Sequence, residues 1–176
     1  MEGIITRQAH IEDAAEIANV HTNSWREAYK GLIPDEYLND RPLHFKNRLE
    51  LWKKLIVDPK QVTIVAESKE HGIVGFVNGG AARDEDLNNH TEVFCIYLLS
   101  KYHGRKIGFN LLKTFFDEQI KLNFTQAYLW VLDNNPTISF YEKVGGKFSG
   151  KKKEDQIAEI KMTELCYVWN NLKFKL

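Results

Sequence analysis

A cluster of cations and glycines in this chain has the composition of an anion-binding segment. In the stretch KYHGRKIG the cations are Lys101, Arg105 and Lys106; Gly104 lies among them and Gly108 follows. An apolar run precedes the stretch and a helical pattern follows it. Free N–H groups at a helix start bind anions, and glycine lets a phosphate approach the backbone. The residues predict a pyrophosphate cradle, and a glycine turn with solvated cations is the alternative.

Other binding and catalytic patterns do not fit the chain. The stretch is neither the P-loop G-x-x-x-x-G-K-[ST] nor the dinucleotide motif G-x-G-x-x-G. The six histidines show no H-E-x-x-H or paired metal spacing, so no metal site is expected. Cys95 lies in the middle of a predicted strand without a neighbouring base, which argues against a nucleophilic role.

The elements that must position this segment follow from the hydrophobic periodicity. The predicted helices are Glu12–Tyr29, Pro42–Ile56, Gly108–Leu122 and Pro136–Val144. The predicted strands are Ile4–Arg7, Gln61–Ala66, Ile73–Asn78, Glu92–Leu99, Gln126–Leu132, Lys147–Lys151 and Ile157–Val168. Hairpins flank one strand–helix–strand unit, which predicts an α/β fold with a mixed sheet of about six to seven strands and helices on both faces.

Length and composition set the class of protein. The chain has 176 residues, of which 43% are hydrophobic and 12% aromatic, as expected of one globular domain over residues 1–176. Lys plus Arg and Asp plus Glu number 24 each, so no net field favours nucleic acid or an anionic membrane as a partner. We see no signal peptide or run long enough to span a membrane, and two distant cysteines favour reduced thiols. We therefore expect a cytoplasmic protein.

Two blocks, in order along the chain, resemble a known family. The first is HGRKIG, against the family pattern R/Q-x-x-G-x-G/A, with His103 in place of Arg or Gln and Lys106 in place of the first Gly. The second is NNPTISFYEKVG, against N-x-x-A-x-x-F-Y-x-x-x-G, with Thr137 in place of Ala. The chain is similar in these blocks, in AYLWVL and in HTNSWREAYKGLIPDEYL to the GNAT superfamily of acyl-CoA-dependent N-acetyltransferases.

The resemblance implies a fold and a binding mode for acetyl-CoA as co-substrate. Two neighbouring parallel strands, Glu92–Leu99 and Gln126–Leu132, are expected to separate in the middle of the sheet. The pantetheine arm would pair with the free backbone of the first strand, much as an added strand would. The cofactor-binding residues implied in this way are Ile96, Tyr97, Leu98, His103, Gly104, Arg105, Lys106, Ile107, Gly108, Asn134 and Tyr141.

The resemblance also implies roles in acetyl transfer. Tyr141 is expected to be the general acid for the CoA sulfur; packing beside Phe140 is its structural alternative. Glu92 is the expected general base, directly or through water, and an exposed acid at a strand end is the alternative. The acceptor is expected to be a primary amine of a small molecule or peptide. Trp25, Tyr29 and Tyr37 are expected to line its pocket, although aromatic residues at helical spacing are often simple core.

Three functions remain open at this point. The first is acetyl transfer from acetyl-CoA directly to an amine. The resemblance makes a homodimer possible, since dimers are common among relatives, whereas the sequence itself leaves the oligomeric state open. The second is a CoA-binding sensor or partner module without turnover. The third is an unrelated nucleotide-binding α/β domain. Binding of CoA in competition with ATP or NAD separates the third from the others, and thiol release with a panel of amines separates the first from the second.

Overall fold

A seven-stranded mixed sheet forms the centre of the protein, for which a computed structural model describes residues 3–31, 35–39, 41–157 and 160–173. The strands lie in the order β1-β2-β3-β4-β5-β7-β6, and β4 and β5 are the parallel neighbours. Their bounds are Ile4–Gln8 (β1), Gln61–Ser68 (β2), Gly72–Ala81 (β3), Thr91–Leu98 (β4), Ala127–Leu132 (β5), Lys147–Ile157 (β6) and Ile160–Trp169 (β7). The predicted α/β class with a mixed sheet of six to seven strands is confirmed.

Helices cover both faces of the sheet, as predicted. Their bounds are Ala14–Ala28 (α1), Asp35–Asn39 (α2), Arg41–Leu55 (α3), Ile107–Lys121 (α4) and Ile138–Lys143 (α5). The amphipathic helix α4 packs its apolar stripe against β1 to β4 on one face. On the other face α1 lies against β3 and β4, and α3 packs against α1 and reaches Phe76 of β3 through Trp52. Two apolar clusters result, one on each side of the sheet.

The element bounds differ from the predictions at several ends. A short 3-10 helix, Ile11–Asp13, precedes α1, and α2 was not predicted because five residues are too few to show a helical period. α5 is shorter than predicted, since the turn before it is closed by Asn135, whose side chain accepts the Thr137 N–H. β6 runs six residues beyond Lys151 because its charged stretch pairs with β7.

One irregularity of the sheet affects the side chains near its centre. Asn78 of β3 pairs with Cys95 of β4, but Gly79 pairs with Val93, so Phe94 is an extra residue on β4. Such a bulge breaks the alternation of side chains along a strand. Ahead of the bulge Glu92 faces the α1 side of the sheet, and after it Cys95 and Tyr97 face that side.

Candidate active site

The parallel strands β4 and β5 separate after a short stretch of pairing. Thr91 pairs with Ala127 and Glu92 with Tyr128, and the described residues show no further pair between these strands. The Leu99 N–H donates to Val74 on β3. Because successive backbone groups of a strand point to opposite edges, the backbone of Leu98 faces the gap. The open edge of β4 beyond Glu92 is therefore available for strand-like pairing with an extended ligand.

The predicted pantetheine-contacting residues lie along this open edge. The side chains of Ile96 and Leu98 pack against the cluster under α4. The Tyr97 ring points to the other face and stacks on His21, with 4.9 Å between ring centroids. The side chains of these residues are fixed by the core, so only backbone groups are presented to the gap. By the alternation along β4 these are the groups of Ile96 and Leu98, whereas those of Tyr97 face β3.

The predicted cradle lies where β4 passes into α4. Lys106 occupies the N-cap of α4 with φ 60° and ψ 9°, a left-handed conformation that costs a residue with a Cβ about 1–2 kcal/mol. The family pattern has glycine there, which adopts this conformation without that cost. Gly104 also has a positive φ, and a Cβ built on it meets no atom within 4 Å. Ile107 is buried, and the Arg105 guanidinium lies 5.3 Å from the Tyr102 ring centroid.

His103 closes the turn that follows β4. Its Nε2 lies 3.0 Å from the Leu98 carbonyl oxygen, so the ring donates to that oxygen when Nε2 carries the proton. The carbonyl that it contacts belongs to the edge of β4 that faces the gap. His103 therefore stabilises the end of the open edge, a role that the sequence pattern did not reveal.

The two sequence blocks meet in space at Gly108. A Cβ added to Gly108 would lie 3.4 Å from the Phe140 ring, so the start of α4 and α5 approach closely because the first has no side chain here. The neighbouring Tyr141 is 6% exposed and packs edge-on against Trp169. Burial, together with the nearby Cys95, raises the pKa of Tyr141 and keeps its phenol protonated. Asn134 lies exposed in the turn ahead of α5.

Glu92 lies at the point where β4 and β5 part, but it is enclosed. Its residue is 2% exposed. The Arg83 guanidinium donates to both carboxylate oxygens, at 2.6 Å to Oε1 and 3.0 Å to Oε2. The Tyr128 hydroxyl and the Arg83 backbone N–H also donate to Oε2, at 2.7 and 3.0 Å. Both carboxylate oxygens of Glu92 therefore accept hydrogen bonds, and the bonds from Arg83 hold the loop after β3 against β4.

These contacts set the protonation of Glu92. Burial by itself would raise its pKa, but the hydrogen bonds from Arg83 and Tyr128 outweigh burial and hold the pKa below its usual value. Burial and the adjacent carboxylate raise the pKa of Tyr128. A carboxylate held in this way is a weak base as long as the guanidinium is present.

The aromatic residues predicted to line the acceptor pocket gather at the end of α1. The Trp25 and Tyr29 ring centroids are 4.9 Å apart, and the Arg48 guanidinium lies 4.9 Å from the Trp25 ring centroid. Burial raises the pKa of Tyr29, with smaller contributions from Glu164 and from Asp155 of β6. Tyr29 therefore lies near the β6–β7 hairpin. The side chain predicted at Tyr37 lies outside the described residues.

A cavity of about 410 Å³ opens beside Arg83 on the α1 side of the sheet. Among the residues lining it are Phe94, Cys95 and His21. Burial lowers the pKa of His21 to about 3, so its ring is neutral and its Nδ1 accepts the Trp52 indole N–H at 3.2 Å. Burial also raises the pKa of the Cys95 thiol to about 12, which keeps it unreactive.

Sequence reasoning missed Arg83, Tyr128 and His21 as parts of this region. Arg83 lies between two predicted strands and Tyr128 within a predicted strand, and neither position shows which carboxylate the side chain reaches. Within the described ranges no group of three or more His, Cys, Asp or Glu side chains could hold a metal ion. Nor is any described helix long and apolar enough to cross a bilayer.

Comparisons with known proteins give matches over most of the chain. The family model "Acetyltransferase (GNAT) family" matches residues 21–146. The uncharacterized N-acetyltransferase YuaI of Bacillus subtilis (strain 168) is 30% identical over 171 residues, covering 96% of this chain and 94% of that protein. The spermidine N(1)-acetyltransferase of Thermoplasma acidophilum is 25% identical over 158 residues, covering 88% of this chain and 95% of that protein.

Solved structures share the fold. The PaiA N-acetyltransferase of Thermoplasma acidophilum, in complex with coenzyme A, superposes with a TM-score of 0.71 at 24% identity, over 92% of this chain and 98% of that one. YncA of Salmonella typhimurium, solved with acetyl-CoA, gives a TM-score of 0.71 at 15% identity, over 99% and 96% of the two chains. The chain therefore belongs to the acetyltransferase (GNAT) family, whose members transfer acetyl groups from acetyl-CoA, and it is an N-acetyltransferase.

Proposed function

We propose that this N-acetyltransferase moves the acetyl group of acetyl-CoA directly to a primary amine of a small molecule or peptide. The observation that carries the proposal is the gap between β4 and β5, which leads from the cradle at the start of α4 to Glu92. Similarity to a protein named spermidine N(1)-acetyltransferase supports an amine acceptor. An enzyme built in this way needs no covalent intermediate on the protein.

The residues present fit acetyl-CoA. The backbone of Ile96 to Leu98 would pair with the pantetheine arm, since it lies on the open edge of β4. The cradle residues His103 to Gly108 would hold the pyrophosphate with the free N–H groups of α4, and Asn134 lies at the opposite side of the gap. When bound, acetyl-CoA supplies the activated acyl group and a thiolate leaving group.

Tyr141 is proposed as the donor to the departing sulfur. Its hydroxyl is kept protonated by burial, and its helix touches the start of α4 through Phe140 and Gly108. A thiol such as that of CoA has a pKa of roughly 8.5, taking cysteine as the model, so its thiolate accepts a proton or hydrogen bond as it leaves. Trp169 and Phe140 fix the ring, which reduces the reorganisation needed during transfer.

Glu92 is proposed as the proton acceptor for the amine. It faces the α1 side of the sheet, where Trp25 and Tyr29 are proposed to line the acceptor pocket. Alkylamines resemble lysine, with a pKa of roughly 10, so an acceptor arrives charged and must lose a proton before it attacks. Glu92 can accept that proton only after the Arg83 guanidinium has moved away from it, because its oxygens are otherwise engaged.

The test is thiol release from acetyl-CoA with a panel of monoamines, diamines and peptides. We expect turnover with at least one amine, and Tyr141→Phe should lower kcat by roughly 10²–10⁴-fold, the usual contribution of a general acid. Tyr167→Phe is the matched control, because Tyr167 is equally buried and its hydroxyl donates to Glu142 away from the gap. Binding of CoA without turnover on any amine would favour a CoA-binding module instead.

A further inference from the structure

The two oxygens of the Glu92 carboxylate have different partners. Among the described residues, Oε1 accepts a hydrogen bond from Arg83 Nη2 alone, at 2.6 Å. Oε2 accepts bonds from Arg83 Nε at 3.0 Å, from the Arg83 backbone N–H at 3.0 Å and from the Tyr128 hydroxyl at 2.7 Å. When the guanidinium moves away, Oε1 is therefore left open, whereas Oε2 keeps the backbone N–H and the phenol.

The Tyr128 hydroxyl is itself fixed in direction. The residue is 0% exposed, and its oxygen accepts the backbone N–H groups of Arg83 and Asp84, each at 3.2 Å. A phenol oxygen has two lone pairs and one hydrogen, so with both lone pairs occupied the hydrogen has one direction left, toward Glu92 Oε2. The His90 ring packs edge-on against the Tyr128 ring, with 6.2 Å between the ring centroids. Tyr128 therefore stays in place when the Arg83 side chain leaves.

The guanidinium is the partner that can move. The side chain of Arg83 is 66% exposed, against 3% for that of Glu92. Its guanidinium carbon lies 4.3 Å from the Phe94 ring centroid, and both residues line a cavity that gives the side chain room. An exposed guanidinium exchanges a carboxylate for water at little cost. An acceptor amine therefore reaches Glu92 at Oε1, from which the guanidinium withdraws.

We propose that Oε1 of Glu92 is the atom that takes the proton from the acceptor amine, and that Tyr128 is the positioning residue that holds Oε2 and thereby presents Oε1. The inference rests on the proposed function, in which Glu92 is the proton acceptor. An N–H bond of the ammonium breaks, an O–H bond forms at Oε1, and the nitrogen keeps the electron pair with which it attacks the thioester. Oε1 passes the proton to solvent before the guanidinium returns.

The network around Oε2 suits both protonation states of Glu92. In the carboxylate, Oε2 accepts the bonds from Tyr128 and from the Arg83 backbone. Once Oε1 is protonated, Oε2 is the carbonyl oxygen of a neutral acid and still accepts both bonds. A proton on Oε2 would instead displace one of these buried donors and leave it without a partner, which is costly. Proton transfer to Oε1 therefore needs no rearrangement of the network.

Other titratable groups surround this carboxyl without bonding to it. Besides Arg83 and Tyr128 they are Cys95, Cys166, His21, His90, Asp84 and Lys151. Burial raises the pKa of both thiols and lowers the pKa of both imidazoles, so these four groups are neutral near pH 7. Lys151 pairs with Asp86 at 3.0 Å, and Asp58 and Lys60 also line the cavity. The pKa of Glu92 is therefore set chiefly by burial, Arg83 and Tyr128.

The experiment compares Tyr128→Phe with Arg83→Ala, because each variant removes a donor from the same carboxylate. Steady-state kinetics are measured against pH with acetyl-CoA and a primary amine that the wild type acetylates. Tyr167→Phe is the matched control, since Tyr167 is also buried and its hydroxyl donates to Glu142 at 3.1 Å, away from the gap. Urea unfolding of each variant establishes that folded proteins are compared.

The two variants should change the kinetics in opposite directions. Both should move the low-pH limb of kcat to higher pH, by about one pH unit in Tyr128→Phe, because each loses a bond that favours the carboxylate. At pH 8 Tyr128→Phe should lower kcat by roughly 10-fold to 100-fold with little change in KM, since Glu92 is present but no longer held. Arg83→Ala should raise kcat/KM for the amine by roughly threefold or more, because no guanidinium has to be displaced. Tyr167→Phe should change none of these quantities.

A double variant separates positioning from a structural role. In a Glu92→Gln background, Tyr128→Phe should cause no further loss of kcat, because it acts through Glu92. A further loss by the same factor would overturn the proposal. So would an equal fall of kcat in Tyr128→Phe and Arg83→Ala, which would mean that the two donors have the same role.

A ring-fluorinated tyrosine at position 128 tests the same bond with the hydroxyl retained. Fluorine makes the phenol a stronger donor, so the low-pH limb should move to lower pH, and a limb that stays in place would count against Tyr128. Wild-type turnover in Glu92→Gln would overturn the proposed role of Glu92 together with this inference. A loss of turnover in Glu92→Gln with wild-type kinetics in Tyr128→Phe would overturn this inference alone.

Discussion

Two arginine–carboxylate pairs in this protein have nearly the same chemistry and very different surroundings. Arg7 donates from Nη1 and Nη2 to the two oxygens of Asp13, at 2.7 and 2.9 Å, and from Nε to Glu67 at 2.6 Å. Arg83 donates in the same two-pronged way to Glu92. The Arg7 side chain is 26% exposed, whereas that of Arg83 is 66% exposed.

The partners of the two guanidinium groups also differ. Arg7 joins β1, β2 and the turn before α1, so three segments lose a contact if it moves. Arg83 contacts one carboxylate and one aromatic ring, and its backbone N–H remains on Glu92 and Tyr128 if the side chain leaves. An ion pair whose two members are both held by further contacts, like Arg7 and Asp13, links segments of the fold. An ion pair whose cation lies largely in solvent, like Arg83 and Glu92, can lose that cation with little change elsewhere in the fold.

The largest difference between the two ion pairs is expected in activity, when the carboxylate of each pair is replaced by an amide. Glu92→Gln removes the proposed proton acceptor without changing its size, so turnover should fall by roughly 10²-fold or more. The loss should be partly recovered as pH rises, because more of the amine is then neutral. Asp13→Asn, the matching change in the other pair, should leave kcat unchanged. A pH–rate series for both variants checks this, and wild-type turnover in Glu92→Gln would remove Glu92 from the chemistry.

The next largest difference between the two ion pairs is expected in the stability that each arginine contributes. Arg7→Ala leaves the buried Asp13 without its main partner and should cost about 3 kcal/mol in the free energy of unfolding. Arg83→Ala should cost less, about 1–2 kcal/mol, because the Tyr128 hydroxyl and the backbone N–H of residue 83 still donate to Glu92. Urea unfolding of the two variants measures the difference. Equal losses would mean that Arg83 is as structural as Arg7.

A smaller loss of stability is expected when either arginine is replaced by lysine, which keeps the positive charge. Arg7→Lys should still cost about 1 kcal/mol, since one ammonium cannot reproduce three directed hydrogen bonds to two carboxylates. Arg83→Lys should cost less than about 0.5 kcal/mol, because its site needs a cation more than a planar fork. Thermal unfolding midpoints compare the two, and a larger shift for Arg83→Lys would reverse the assignment.

The smallest expected effect is on the pH dependence of stability. Burial by itself would raise the pKa of Asp13, but the hydrogen bonds from Arg7 and from the His10 N–H have the larger effect, and the pKa is lowered. The pKa of Glu92 is lowered in the same way by its hydrogen bonds, chiefly those from Arg83. Both groups then stabilise the fold above the unfolded carboxyl pKa of about 4, and this contribution is lost as pH falls through the lower folded value. The neutral His21 adds an earlier loss below about pH 6.5, because the unfolded imidazole binds a proton there.

Urea titrations between pH 7 and pH 3 test these signs. Stability should fall first below about pH 6.5 and more steeply below about pH 4. Asp13→Asn should flatten the second part and leave the first, while a variant without His21 should flatten the first. Stability that rises on acidification in wild type would contradict all three assignments.

The sequence by itself determined those features of the protein that depend on residues close together in the chain. The strand-to-helix turn that carries the predicted cradle could be located because its glycines, its cations and the helical period after it are consecutive in the chain. The strands and the long helices could be predicted for the same reason. The departures at His103 and Lys106 were also visible in the sequence. What the sequence did not supply is that Lys106 adopts a left-handed conformation and that His103 reaches the Leu98 carbonyl.

The surroundings of Glu92 were decided by the tertiary structure. Its position at a strand start suggested an exposed acid or a base, but Arg83 and Tyr128, from a loop and from another strand, enclose it. Simple alternation would place Phe94 and Ile96 on the side of Glu92. Phe94 does lie there, against Arg83, but the extra residue in β4 puts Cys95 and Tyr97 on that side in place of Ile96. Local patterns fix which residues form strands and turns. Register, bulges and contacts between distant strands fix which side chains meet, because those depend on the packing of the whole sheet.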